Sequence, residues 1–383
     1  RSGATAAGNI AMKRVYSIRT HGNPTLALRS LFASWLEQKV VQALLVPVRQ
    51  APSAVVMQTL VSDPEELDYA DPLAPVAFSN AAALLSSITH HSAGARLGAV
   101  VRSCDIRAFV ERIKLHQGSR DNLLLVGFDC LGRFENQEYL KLCNKYDDLT
   151  TEFYRAATPG IDGIEITRAC RACVFPVAPH ADINICLFGT NLWEEIRLEA
   201  ATAAGVSALE ALSLPLVGES PERGAVIESM VSERKAYRDA LLSEYRARAG
   251  SVPGFVRLTA ACVNCYNCRV ACPVCHCREC VFCTDLFLHD GSRLLGRAKR
   301  HGALRMPTDT LLYHLTRMVH VGALCVGCGQ CSSACPNGVD VVGMFLSAGA
   351  ATQGRFDYVP GRSLEEKQPM TVFCEDELAD VTG

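Results

Sequence analysis

The sequence lacks any apolar run long enough to cross a membrane: its longest candidates are broken by Arg, Asp or Pro, so no transmembrane helix of about 18 residues or more is expected. A strong excess of one charge is also missing. Lys and Arg number 38 against 40 Asp and Glu, a net charge of −2, which leaves no positive field suited to a nucleic-acid backbone. The stretch from Arg1 to Arg14 holds no apolar leader core, so no secretory signal is expected and a reducing cytoplasm is the expected location. Aromatic residues are sparse at 7 %, yet 49 % of the chain is hydrophobic, which argues against disorder. Its 383 residues leave room for two or three domains.

What the chain has in abundance is cysteine, 19 residues of it. Twice, four stand at the spacing Cys-x2-Cys-x2-Cys-x3-Cys-Pro: Cys262, Cys265, Cys268, Cys272 and Pro273, then Cys325, Cys328, Cys331, Cys335 and Pro336. A [4Fe-4S] cubane needs four converging thiolates, and this run is the bacterial ferredoxin signature, in which the fourth cysteine crosses to the other cluster. Cys262, Cys265, Cys268 and Cys335 are therefore assigned to one centre, and Cys325, Cys328, Cys331 and Cys272 to a second. All-cysteine zinc sites, the alternative, typically come as two separated Cys-x2-Cys pairs.

The N-terminal half alternates helical and extended patterns. Asn23 caps a predicted helix that begins at Pro24 and buries Leu28, Leu31, Phe32 and Trp35. Val40 to Val48 and Ala54 to Leu60 read as strands, and Ser79 or Asn80 caps a helix through Ile88. The clearest unit is a βαβ crossover: strand Leu97 to Val101, a helix capped by Asp105 and ended by Gly118, and strand Leu123 to Phe128. Ala181 to Phe188 is a further strand. Pro221 to Ala249 reads as one long charged helix carrying Arg234, Lys235, Arg238, Glu244, Arg246 and Arg248, expected as a solvated connector. Between the two cysteine runs, Thr308 to Val321 reads as a helix with Leu311, Leu312, Leu315, Met318 and Val319 inward. The basic stretch Arg293 to Arg305 reads as a solvated face, with contact to an acidic partner as the alternative.

More cysteines are present than two clusters use. Cys104 and Cys130 fall just past the carboxyl ends of adjacent strands, where open α/β sheets place their ligands, and Cys170-x2-Cys173 adds a two-thiol clip. Together they suggest a third four-thiolate site, with Cys143 in reserve; as the alternative, Cys104 and Cys130 are small buried hydrophobes. Cys275, Cys277, Cys280 and Cys283 follow directly on the first run and hold either a fourth cluster or a structural role, with His276 as a nearby donor. Cys186 reads as core. Cys374 has no assignment.

The segments Thr20-His21-Gly22-Asn23-Pro24-Thr25, Arg102 to Ala108, Gly127-Phe128-Asp129-Cys130, Cys170 to Cys173 and Ala181-Asp182-Ile183 resemble the beta subunit family of the F420-reducing hydrogenases and F420-dependent formate dehydrogenases. With the ferredoxin region the likeness covers most of residues 18 to 340, and the formate dehydrogenase branch is the nearer. The helical ferredoxin part is also similar to that of heterodisulfide reductase small subunits and succinate dehydrogenase iron–sulfur subunits.

The resemblance implies FAD, iron–sulfur clusters and, for a hydride carrier, F420 or NAD(P)H. It implies an α/β flavin-binding domain, a mixed sheet with βαβ units, over 1–220 with a third cluster site. A helical connector over 221–255, an α-helical ferredoxin-like domain with two [4Fe-4S] centres over 256–345 and an extended tail over 346–383 follow. For FAD the contacts expected are Gly22, Asn23 and Thr25 at a helix N-terminus, then Asn80, Arg102 and Arg107, although Asn23 and Asn80 also serve simply as caps. The family's Gly-Gly pair stands here as His21-Gly22. Formate or hydrogen chemistry would reside in a partner chain, a formate dehydrogenase, hydrogenase or heterodisulfide reductase. A non-catalytic relay and docking subunit is the competing reading, and a zinc-stapled interaction protein a third. The tail is expected to lie across a neighbour or the protein's own surface.

Overall fold

The structure is a computed structural model that describes residues 13–91, 94–156, 160–369 and 371; Cys374 and the stretch before Lys13 lie outside the described residues. Its frame is one mixed sheet built from β1 (Arg14–Arg19), β2 (Ala43–Arg49), β3 (Val56–Val61), β4 (Leu97–Val101) and β5 (Leu123–Phe128). A small hairpin of β6 (Gly160–Ile161) and β7 (Ile164–Glu165) stands apart, and β8 (Ile183–Cys186), β9 (Glu195–Ala200) and β10 (Leu216–Val217) complete the sheet. The order across it is β10-β1-β9-β8-β5-β4-β2-β3.

β2, β4, β5 and β8 are mutually parallel, while β9 runs against both β8 and β1. β1 therefore points the same way as β8, and the carboxyl ends of β1, β2, β4, β5 and β8 share one edge of the sheet. The central strands are apolar on both faces, as a sheet covered on both sides requires. Leu45, Ala99, Val101 and Leu125 pack against Leu85, Ile106 and Phe109 on one face. Leu44, Val46, Val100, Leu124 and Val126 pack against Leu28, Phe32 and Trp35 on the other. The first face continues into the helical half, through Leu241, Tyr245, Phe255, Tyr313 and Phe345.

The Pro24–Glu37 helix starts as expected, with Asn23 Oδ1 accepting from Leu26 N at 2.9 Å and Pro24 in the first turn. The βαβ crossover is present, with β4 and β5 as parallel neighbours. Its helix, Ser103–Lys114, begins two residues before Asp105 and ends well before Gly118. Asp105 sits in the first turn instead of capping it: one carboxylate oxygen accepts from Arg102 N at 2.9 Å and the other from Ala81 N at 3.0 Å, tying two helix starts together.

Three expectations need correction. The long helix Arg223–Ala249 is not a solvated connector, because Arg234, Leu241, Leu242 and Tyr245 are buried along one stripe of it. The Thr310–Val321 helix is rotated from its predicted face: Thr310, Tyr313, His314 and Arg317 are buried, Leu311 and Met318 of the predicted face are partly buried against the core, and Leu312, Leu315 and Val319 are exposed. The residues after Val341 are not an extended tail from 346, since Val341–Arg355 is a helix with Val342, Met344, Phe345 and Leu346 in the core. Only beyond it does the chain extend, and it crosses the protein's own Ser103–Lys114 helix. There the fully buried Glu111 accepts from Tyr358 Oη, from Gly361 N at 2.7 Å and from Gln368 Nε2 at 2.9 Å. Among the described residues no helix is long and apolar enough to cross a membrane.

Candidate functional site

The two cysteine runs fold into the same loop twice. In the first, Asn264 and Tyr266 hold left-handed backbone at φ 53° and 62°; in the second, Gly327 and Gly329 occupy the matching positions at φ 73° and 77°. Those two left-handed residues turn consecutive thiols toward one centre, and glycine adopts that conformation without the Cβ clash the first run tolerates. Cys262, Cys265, Cys268 and Cys335 line one cavity, so the fourth cysteine of the second run does cross to the first. Polar groups point at its sulfurs: Arg317 Nη1 lies 3.1 Å and Tyr313 Oη 3.3 Å from Cys268 Sγ, and His314 Nε2 lies 3.4 Å from Cys262 Sγ. Backbone N–H groups of Asn264 and Val339 reach Cys262 Sγ and Cys335 Sγ at 3.5 and 3.3 Å.

The reciprocal crossing brings Cys272 among Cys325, Cys328 and Cys331. Burial pushes the Cys325 thiol up to about 11, and the charge of Cys272 adds to the effect. Cys328 and Cys331 are raised further, by burial first and then by Cys272 and by Cys325. Packed this closely, the Cys325, Cys328 and Cys331 thiols disfavour one another's ionisation.

A third set gathers at the carboxyl edge of the sheet. Cys104 opens the helix after β4, Cys130 follows β5, and Cys170 and Cys173 come from the short Arg168–Arg171 helix and its exit, where Thr167 Oγ1 accepts from Cys170 N at 3.2 Å. All four line one cavity, and Cys328 of the second set lines it too. The Cys104 thiol is pushed well above its ordinary value, chiefly by burial, with Asp105, Cys328 and Cys130 adding. Arg102 stitches the rim: its guanidinium donates to Ala74 O, to Val76 O at 2.8 Å and to Gly132 O at 3.4 Å, and stands 3.7 Å from Cys130 Sγ.

Cys275 faces Cys272 and Cys277, Cys277 Sγ lies 3.8 Å from His320 Nδ1, and Cys280 and Cys283 face Tyr266. His276 uses its carbonyl to accept from Gln117 at 2.9 Å and its ring stands at Val274 O. Cys143 sits beside Tyr139 and Arg49, away from the third set, and Cys186 is buried in the core. Among the described residues no group of three or more His, Cys, Asp or Glu closes tightly enough to hold a single metal ion.

Beside the third set lies a cleft of about 600 Å³, lined by Leu131, Ile166, Phe188, Met230, Arg234 and Tyr237 among others. The long helix forms one wall. From it the buried Arg234 donates to Leu131 O at 2.7 Å and to Cys130 O at 3.4 Å, so the same side chain borders the cleft and the loop that presents Cys130. Arg234, one of the charges expected on a solvated helix, is instead buried. The signal was there, since Met230, Arg234, Tyr237, Leu241 and Tyr245 recur at helical spacing along one face.

The expected FAD contacts fall at two places on the carboxyl edge. Gly22, Asn23 and Thr25 lie in and after the loop following β1, where Gly22 N donates to Trp193 O at 2.8 Å and the Thr20 hydroxyl is buried without a partner. Asn80 accepts from Ala82 N at 2.9 Å, and its amide nitrogen is buried and unpartnered. Arg102 is engaged as described. Arg107 donates to Pro360 O at 2.9 Å and to Val326 O at 3.1 Å and stacks on Phe175, between the tail and the second cysteine run.

No protein-family model matches the chain. The F420-dependent formate dehydrogenase subunit beta of Methanocaldococcus jannaschii is 23 % identical to it over 370 residues, spanning 88 % of this chain and 91 % of that protein. The F420-dependent formate dehydrogenase 1 subunit beta of Methanococcus maripaludis is 25 % identical over 260 residues, 59 % of this chain and 63 % of that one. Among solved structures, a chain of the xenon-derivatised F420-reducing [NiFe] hydrogenase complex from Methanosarcina barkeri aligns at a TM-score of 0.44 and 13 % identity, over 64 % of this chain and 95 % of that chain. Across most of its length, then, the chain resembles the beta subunits of F420-dependent formate dehydrogenases.

Proposed function

We propose that the protein is a flavin- and iron–sulfur-carrying electron-transfer subunit of an oxidoreductase complex. The observation that carries this reading is the row of three thiol sets. Cys272 and Cys335 exchange places between the first two, Cys328 borders the third, and the third adjoins the cleft behind Arg234.

The donor chemistry fits [4Fe-4S] groups, which take four thiolates each. Cys262, Cys265, Cys268 and Cys335 would hold one, Cys272, Cys325, Cys328 and Cys331 a second, and Cys104, Cys130, Cys170 and Cys173 a third. For Cys275, Cys277, Cys280 and Cys283 a fourth cluster and a structural role both stay open. FAD fits the carboxyl edge, where Thr20 and Asn80 keep buried polar atoms free and Phe188 and Tyr237 give the cleft aromatic walls. β1 and β4 stand four strand positions apart in the sheet, about 19 Å at roughly 4.8 Å each, a span that suits an extended dinucleotide. When bound, flavin would supply two-electron hydride chemistry and the clusters one-electron carriage.

The chain's own residues do the positioning. Arg102 donates to Gly132 O and Arg234 to Cys130 O and Leu131 O, so together they hold the Cys130–Gly132 loop that presents the Cys130 thiol. The long helix forms one wall of the cleft. The carrier proposed is F420, which the relatives are named for, with NAD(P)H as the other candidate; the partner proposed is a formate dehydrogenase, hydrogenase or heterodisulfide reductase subunit. One observation favours the relay alternative: Arg102 and Arg107 are engaged with protein carbonyls, which leaves fewer cations for a dinucleotide.

Mixing the anaerobic, iron-replete protein with reduced F420, NADH or NADPH and following the flavin band decides between them. Bleaching with a hydride donor supports the enzyme reading. Silence with all three leaves the relay.

A further inference from the structure

The Thr310–Val321 helix places a full positive charge where a hydrophobic residue would ordinarily go. Arg317 is 4 % exposed, whereas Leu315 and Val319 on the other side of the same helix are 42 % and 70 % exposed. Burying a guanidinium is costly unless anions and hydrogen bonds compensate. Among the described residues no carboxylate lies within ion-pairing distance of it, and its Nε has no acceptor. Its groups go to the thiol sets instead: Nη1 lies 3.1 Å from Cys268 Sγ, and Nη2 donates to Cys268 O at 3.1 Å. The guanidinium plane packs near the rings of Phe345 and Tyr313, at 4.7 and 5.5 Å, which fixes where the charge sits. A guanidinium stays protonated in proteins, so the charge is permanent, and its electrostatic neighbours include Cys272 and Cys331 besides Cys268. Cys272 and Cys331 belong to the second set, and Arg317 therefore stands between the two.

We propose that Arg317, assisted by the Tyr313 hydroxyl, sets the reduction potential of the centre held by Cys262, Cys265, Cys268 and Cys335. Adding one electron makes a cluster one unit more negative. A fixed cation donating to a ligand sulfur stabilises that form and raises the potential, since hydrogen bonds to the sulfurs and local charge are among the determinants of cluster potential. Arg317 is a positioning and tuning residue: it acts through Cys268. The inference rests on the iron–sulfur reading proposed above.

The test is a potentiometric titration of the anaerobically purified full chain followed by electron paramagnetic resonance, on wild type, Arg317→Gln, Arg317→Lys and Tyr313→Phe. In Arg317→Gln, the reduced-to-oxidised ratio of one centre, poised at the wild-type midpoint, falls at least tenfold, a shift of about 59 mV for a one-electron couple. Arg317→Lys keeps the charge without the two-pronged contact and shifts the same centre less. Tyr313→Phe retains the ring and lowers the ratio by less than tenfold. The centre that moves is the one altered in Cys265→Ser. Unmoved potentials in iron-replete Arg317→Gln overturn the proposal, as does a shift confined to the other centres. If Arg317→Gln does not load iron, the other two variants decide, and unmoved potentials in both reject it. A wild-type chain without iron or signals sinks the iron–sulfur reading itself, an outcome distinct from signals that are present but unshifted.

Discussion

Cys328, from the second cysteine run, and Cys104, from the helix start after β4, line the same cavity. The helical half and the sheet thus meet at sulfur, and a charge on either thiol is felt by the other. Because Cys272 lies against the rest of the second set, all three sets are consecutive neighbours.

The crossing makes a prediction that linear assignment does not. Cys272→Ser, although it alters the first run, should disturb the same centre as Cys325→Ser and leave the one disturbed by Cys262→Ser intact. Loss of a whole cubane lowers bound iron by about four per chain. Iron analysis with spectra of the three variants checks this; shared loss between Cys272→Ser and Cys262→Ser alone contradicts it.

Truncating Arg234 to Ala leaves the half-buried carbonyls of Cys130 and Leu131 without this donor. The cost expected is about 1–3 kcal/mol of stability, with weaker flavin retention because the same side chain borders the cleft. Thermal unfolding and flavin release during gel filtration measure both. An unchanged melting temperature with unchanged flavin content would remove Arg234 from the account.

For the outward face of the Thr310–Val321 helix, Leu312→Ser should change the stability of the isolated chain by no more than about 0.5 kcal/mol, as surface substitutions do. An inward leucine truncated this far would cost about 2–5 kcal/mol. Denaturant titration separates the two outcomes.

The tail makes a similar claim. Tyr358→Phe deletes the hydroxyl shared by Glu111 and Lys114 beneath it, leaving a buried carboxylate short of a donor at a cost of about 1–3 kcal/mol. Limited proteolysis should then cut at Arg362 or Lys367 faster than in wild type. Equal rates would mean that the strap is held by its other contacts.

Local features were the legible ones. Cysteine spacing fixes which thiols can share a loop, and the crossing follows from it; Asn23-Pro24 and the apolar runs of β4 and β5 announce their elements within a few residues. The orientation of the Thr310–Val321 helix was not legible from periodicity, because that argument assumes an apolar core. Here the interior also holds thiols, which attract Arg317, Tyr313 and His314 and leave Leu312, Leu315 and Val319 outward. β9 was missed for a different reason. Its Glu-Ile-Arg-Leu-Glu alternation is a half-buried strand pattern, but the charges at every other position mask it. The long helix hid Arg234 in the same way, among charges that are mostly solvated.

The central claim is that these thiols hold cubanes in series beside a flavin. The most direct measurement is iron, acid-labile sulfide and flavin quantified together on one anaerobically purified sample of the full chain. The account predicts about twelve irons with matching sulfide, four for each of three sets, and one FAD. A colourless protein carrying zinc, or no metal and no labile sulfide, would contradict it.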